Sequence, residues 1–169
     1  FKGTDTLAPG EFSRRVAALG GRENAFTSKD YTGYFQMIPA ERVPDVMRLE
    51  ANRFAHNRWS DEEFAKEIEV IKEERRLRTE DVPRAALQEQ LAAVQFSASP
   101  YRRPIIGWMN DLDHLQPEEV RQFFRQWYVP ANATVVVVGD VDPQQVLQWA
   151  KEIYGSIPAA SLPSRKPRA

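Results

Sequence analysis

Residues that favour extended backbone are gathered into three short stretches of a chain otherwise dominated by helical periodicity, and this distribution constrains the fold more than any other feature. Residues 24–28 (Asn-Ala-Phe-Thr-Ser) and 31–38 (Tyr-Thr-Gly-Tyr-Phe-Gln-Met-Ile) are rich in aromatic and β-branched side chains. The turn-forming Ser28-Lys29-Asp30 between them predicts two adjacent antiparallel strands. Gly33, inside the second, fits a bulge or a close backbone approach. Residues 133–139, with four consecutive valines, predict a third strand buried on both faces. Strands and helices do not alternate strictly. The expected class is therefore α+β, a mainly antiparallel sheet with helices packed on one face.

The helical segments carry their own punctuation. Pro9-Gly10 precedes the apolar series Phe12, Val16 and Leu19, and Gly20-Gly21 closes it. Pro39 opens a segment with Val43, Val46, Met47, Glu50 and Phe54 at helical spacing. Ser60 is suited to cap the next helix, with Glu63 three residues on, and that helix runs to about Thr79, before Pro83. A further helix is expected over residues 84–94, then a loop over 97–107 containing Pro100 and Pro104. Pro117 opens a helix that Pro130 stops, and Asp142-Pro143 leads into a last one with Val146, Leu147, Ala150, Ile153 and Tyr154. The tail, with Pro158, Pro163 and Pro167, reads as a linker, which divides the chain into a domain over 1–158 and a linker over 159–169.

At 169 residues and 42% hydrophobic, the chain is long enough to bury a core without crosslinks. The formal net charge of -1 offers no global field toward nucleic acid. The basic residues Arg75, Arg76, Arg78, Arg84, Arg102 and Arg103 alternate with acids and lack aromatic platforms, so nucleic acid is not expected as a partner. Cysteine is absent, which excludes disulfides and thiolate metal sites. The longest apolar run, 133–139, is far short of the roughly 20 residues of a membrane span. The chain opens on Phe1, not an initiator methionine, and this suggests a processed or truncated segment.

The segment 62–76, Glu-Glu-Phe-Ala-Lys-Glu-Ile-Glu-Val-Ile-Lys-Glu-Glu-Arg-Arg, is the most informative chemically. At about 100° per residue, Phe64, Ile68 and Ile71 fall in one stripe. Glu67 and Glu74 lie on its edge, within roughly 80° of Phe64, whereas Glu73 projects to the opposite side. A carboxylate beside a core face needs a cation, a metal or a donor to meet it. The competing reading is a solvated helix whose glutamates pair with Lys66, Lys72, Arg75 and Arg76. The two histidines belong to no paired zinc motif. His56 fits a helix C-terminal cap and His114 a local hydrogen bonder.

Together these segments resemble the pitrilysin-type peptidases, the family of mitochondrial processing peptidase, insulin-degrading enzyme and many bacterial zinc proteases. Phe1-Lys2-Gly3-Thr4 is similar to the stretch that follows the family's His-x-x-Glu-His motif. Gly20 through Ser28 and Tyr31-Thr32-Gly33-Tyr34 resemble its glycine and strand signatures, and Leu49 through Phe54 and Glu67 through Glu74 its next two helical ones. Ser99-Pro100-Tyr101, Pro104 through Gly107, Trp127 through Ala133 and Val138 through Val141 complete the order. Ser99 stands where the family often has histidine, and Ala131 where it often has asparagine.

The resemblance implies a pitrilysin-like half-domain in which Glu74 is the third zinc ligand and Glu67 a carboxylate that steadies the site. Asn24, Ala25 and Phe26 would match the strand edge that accepts an extended peptide substrate by β-addition. A homologous second domain or partner subunit would close over the peptide. Two histidine ligands and the general base are not among these residues, so zinc is expected in the complete parent protein, with neither tight zinc binding nor turnover by this chain alone. A periplasmic location is the family's usual setting, with the cytoplasm as the alternative. The competing function is a noncatalytic peptide-binding or assembly subunit on the same fold.

Overall fold

A computed structural model describes residues 2–164; Phe1, Pro167 and the rest of 165–169 lie outside the described residues, and with them part of the predicted linker. The regular structure of the described residues is helical apart from one antiparallel hairpin, an α+β composition. Helix α1 (Glu11–Ala18) is followed by strands β1 (Arg22–Thr27) and β2 (Thr32–Met37). Then come α2 (Val43–His56), α3 (Asp61–Arg75), α4 (Pro83–Gln95), α5 (Met109–His114), α6 (Pro117–Trp127) and α7 (Pro143–Tyr154).

The predicted caps form. Past Leu19 the backbone turns left-handed at Gly20 (φ 80°), and the amides of Gly20 and Gly21 return to the carbonyls of Ala17 (2.9 Å) and Val16 (3.0 Å). These two bonds satisfy carbonyls that the end of α1 would otherwise leave open, and only glycine takes the required φ without strain. Ser60 Oγ accepts from the Glu63 amide at 3.1 Å, which starts α3.

The chain divides into two units. The first holds the described residues up to Asn24, Tyr34–Trp59 and those from Glu118 on; the second holds Ala25–Gly33 and Ser60–Pro117. In the first, Leu7, Phe12 and Val16 form a buried cluster against which Leu49 packs, and α2 packs on α7. Arg53, 6% exposed, is held by Glu50 at 2.5 Å and stacks over the Tyr34 ring at 3.8 Å. The Tyr34 hydroxyl lies 3.0 Å from that of Tyr128. In the second unit, α3 packs on α5, Ile68 and Leu112 are both buried, and Lys72 bonds Asp113 at 3.0 Å.

One expectation needs correction. Residues 133–139 form no strand, and Val135, Val136 and Val138 are 55%, 75% and 90% exposed. A strand exists through its ladder, and among the described residues the sheet consists of β1 and β2. The loop expected over 97–107 ends just before a short helix, α5, whose six residues are too few to show a period in the sequence.

Candidate functional site

Helix α3 places the two glutamates as its periodicity predicts. Ile68 is 8% exposed, and Phe64 and Ile71 are half-buried on the same stripe. Glu67 and Glu74 are half-buried, whereas Glu69 and Glu73 are exposed. Seven residues separate Glu67 from Glu74, about 10 Å along the axis. Their backbone positions are therefore too far apart to make them a single adjacent pair of ligands.

The local-pairing reading is realised for most of the helix. Lys66 meets Glu62 at 2.7 Å, Lys72 meets Glu69 at 2.9 Å, and Arg76 meets Glu73 at 3.1 Å. Glu74 Oε1 lies 2.7 Å from Arg78 Nη1, a pair whose side chains are 40% and 76% exposed. An ion pair this open contributes about 0–1 kcal/mol, so a competing cation can displace the arginine at little cost.

Arg75 departs from both readings. It is 5% exposed, and its guanidinium bonds a residue of another helix. Nη1 and Nη2 each donate to a Glu89 carboxylate oxygen at 2.8 Å, and Nη1 also donates to the Gly107 carbonyl at 2.9 Å. The Glu89 carboxylate holds the guanidinium charged and pushes its pKa up. The helix changes character immediately afterward: Arg76–Glu80 is a π turn, closed by the Asp81 amide on the Arg76 carbonyl at 2.9 Å. No propensity or spacing rule marks such a turn, and arginine after a run of glutamates reads as surface, so the sequence hid both.

The predicted substrate strand is the first strand of the hairpin. Asn24, Ala25 and Phe26 are exposed, and β1 has one strand neighbour among the described residues. The Ser28 amide donates to the Tyr31 carbonyl at 2.8 Å, a register that sets Phe26 opposite Gly33. Gly33 is a close approach, as expected of one of its two readings: the Phe26 ring occupies the space a side chain there would need. Phe26 also meets Tyr31 edge to face, with centroids 5.6 Å apart. The hairpin tip is tied down by Lys29, which donates to the carbonyls of Tyr101 (2.5 Å) and Arg103 (2.9 Å). Tyr101 returns a hydroxyl bond to Asp30 at 2.8 Å, and that carboxylate raises the phenol's pKa.

Both histidines have local partners. His56 ends α2, exposed, 3.9 Å from Asp5. His114 Nδ1 lies 2.7 Å from the Asn110 carbonyl one turn back, the local bond expected of it. Among the described residues no group of three or more histidine, cysteine, aspartate or glutamate side chains is placed to hold a metal. Catalytic zinc takes three protein ligands and an open position. The accessible Glu74 carboxylate has the chemistry of one such ligand.

Residues 1–108 match the sequence model of the insulinase family (peptidase family M16), and residues 114–169 match one described as the peptidase M16 inactive domain. A Helicobacter pylori zinc protease, PqqE, is 34% identical over 157 residues, covering 93% of this chain and 35% of that protein. The crystal structure of a protease from Helicobacter pylori superposes with a TM-score of 0.93 at 32% identity, over 97% of this chain and 40% of the other. The periplasmic protease PqqL from Escherichia coli gives a TM-score of 0.86 at 26% identity, over 99% of this chain and 19% of that one. The chain thus spans well under half the length of these relatives.

Proposed function

Because the chain belongs to the insulinase family of peptidases, M16, we propose that it is part of a zinc-dependent endopeptidase domain acting on extended peptides. The observation that carries this reading is the match of 93% of the chain to a zinc protease, combined with an accessible Glu74 carboxylate on α3. The names of the relatives give no support to the noncatalytic alternative.

In this reading Glu74 supplies one anionic ligand and Glu67 steadies it from the preceding turns of α3. When bound, zinc would supply Lewis acidity toward a peptide carbonyl and an activated water. Asn24, Ala25 and Phe26 align the peptide by main-chain pairing along β1, so that its register is set by the strand and its side chains alternate between faces. Two histidines and the general base come from elsewhere in the complete protein, and a second, homologous domain or a partner subunit closes over the substrate. Residues 1–158 form the peptidase-type region and 159–169 the linker beyond it. The periplasm is the proposed compartment, supported by the Escherichia coli relative described as periplasmic.

The test compares this 169-residue chain with the full-length protein for zinc content and hydrolysis of an unfolded polypeptide. The full-length protein is expected to hold stoichiometric zinc and turn over, and Glu74→Gln to lose both. Turnover by the short chain, or undiminished zinc in the Glu74→Gln protein, overturns the assignment.

A further inference from the structure

We propose that Arg75 is a positioning residue for Glu74: its guanidinium, locked onto Glu89 of α4 and the Gly107 carbonyl, fixes the rotation of the last turn of α3 and so the direction in which the neighbouring carboxylate projects. This rests on the reading of Glu74 as a metal ligand and adds to it the device that aims the ligand.

The need for such a device follows from where Glu74 sits. It is the penultimate residue of α3, and the helix continues as a π turn whose hydrogen bonds skip to the fifth residue. The last turn of a helix frays, and a change of helix type at that point removes the regular ladder that would otherwise set side-chain direction. Arg78 does not supply the constraint, because its pair with Glu74 is exposed and formed by two long side chains.

Arg75 does supply it. Its two Nη atoms meet both Glu89 oxygens at 2.8 Å, the planar fork geometry that admits one orientation, and Glu89 is itself 15% exposed. The bond to Gly107 at 2.9 Å adds a third fixed point on a different segment. Nε lies 3.4 Å from Glu80 Oε1 but without hydrogen-bond geometry, so the fork is held chiefly by α4 and the Gly107 carbonyl. Consecutive residues stand about 100° apart on a helix, so a turn of the backbone that redirects Glu74 must swing Arg75 through the same angle and break all three bonds. A metal ligand has to be held within roughly 0.5 Å and 10–20° of its working geometry, and this clamp provides that tolerance.

The experiment uses the full-length protein and reads zinc affinity by chelator competition, the visible absorption spectrum of the cobalt-substituted form, and thermal melting. Arg75→Lys keeps the charge and loses the fork; Glu89→Gln keeps the shape and loses the charge. Both are expected to weaken zinc binding about 10- to 100-fold and to shift the cobalt spectrum, while Lys66→Gln, which breaks an exposed pair on the same helix, changes neither. A merely structural role lowers the melting temperature and leaves the cobalt spectrum of the folded fraction as in the parent protein; that outcome refutes the proposal. If Arg75→Lys does not fold, Glu89→Gln decides alone. Glu74→Gln separates the two readings: if it retains zinc, the ligand assignment has failed, whereas if it loses zinc and the clamp variants behave as the parent, only the positioning role has failed.

Discussion

The ring of Phe26 packs over Gly33 so closely that a Cβ built on the glycine would stand 2.4 Å from Cε1 and 2.5 Å from Cζ. Gly33→Ala is therefore expected to drive the ring off the hairpin, at a cost of about 1 kcal/mol or less because the ring is exposed and can swing aside. Melting of the single and double variants checks this. Adding Phe26→Ala to Gly33→Ala should recover part of the loss, and strictly additive effects would show that the two residues are not coupled.

Burial raises the Tyr154 phenol to about 12, helped by the charge of Glu50 and opposed by Arg53. Burial and the bond to Tyr128 push Tyr34 up as well. In the unfolded chain both titrate near 10. Their neutral forms are thus favoured in the folded state, and the stability they contribute is complete below about pH 10 and is lost as pH rises toward 12. Melting temperature followed from pH 8 upward should fall in that window, and Tyr154→Phe should shrink the fall. A slope unchanged in Tyr154→Phe would remove this phenol from the account.

Arg53 and Glu50 form an enclosed ion pair, with side chains 8% and 17% exposed. Arg53→Met leaves Glu50 short of its cation and strips the face of Tyr34, for a loss on the order of 3 kcal/mol in denaturant titration. Gln36, which donates to Glu50 at 2.7 Å, remains as a neutral partner. Glu50→Gln in the Arg53→Met background should therefore restore stability in part.

The exposed valines give the opposite expectation. Val136→Thr and Val138→Thr should change the stability of this chain by less than about 0.5 kcal/mol, because neither side chain leaves water on folding. A loss of 2 kcal/mol or more would mean that residues 133–139 are packed in solution.

What the sequence revealed and what it concealed divide along the range of the interactions. Ser60 and Gly20 were legible because a cap is a contract between residues three to five apart, and the hairpin because its turn and both strands are contiguous. His114 was legible for the same reason. The valine run met every compositional rule for a strand, yet a strand is completed by a partner whose presence composition does not encode. Arg75 was read as surface charge because its acceptors lie 14 and 32 residues away. Glu67 and Glu74 were legible as an edge pair from helical angles, but their metal role entered through family resemblance, since one or two carboxylates on a charged helix specify no ion.

The π turn at Arg76–Glu80 also bears on how this stretch can vary. It places one residue more in a turn than an α-helix does. Deleting a single position there would restore ordinary pitch, but it would carry Glu80 about 100° around the axis and away from the Nε of Arg75. Side chains in the bulge are exchangeable as long as their number is kept, so related sequences should show substitutions between Arg75 and Glu80 far more readily than insertions or deletions.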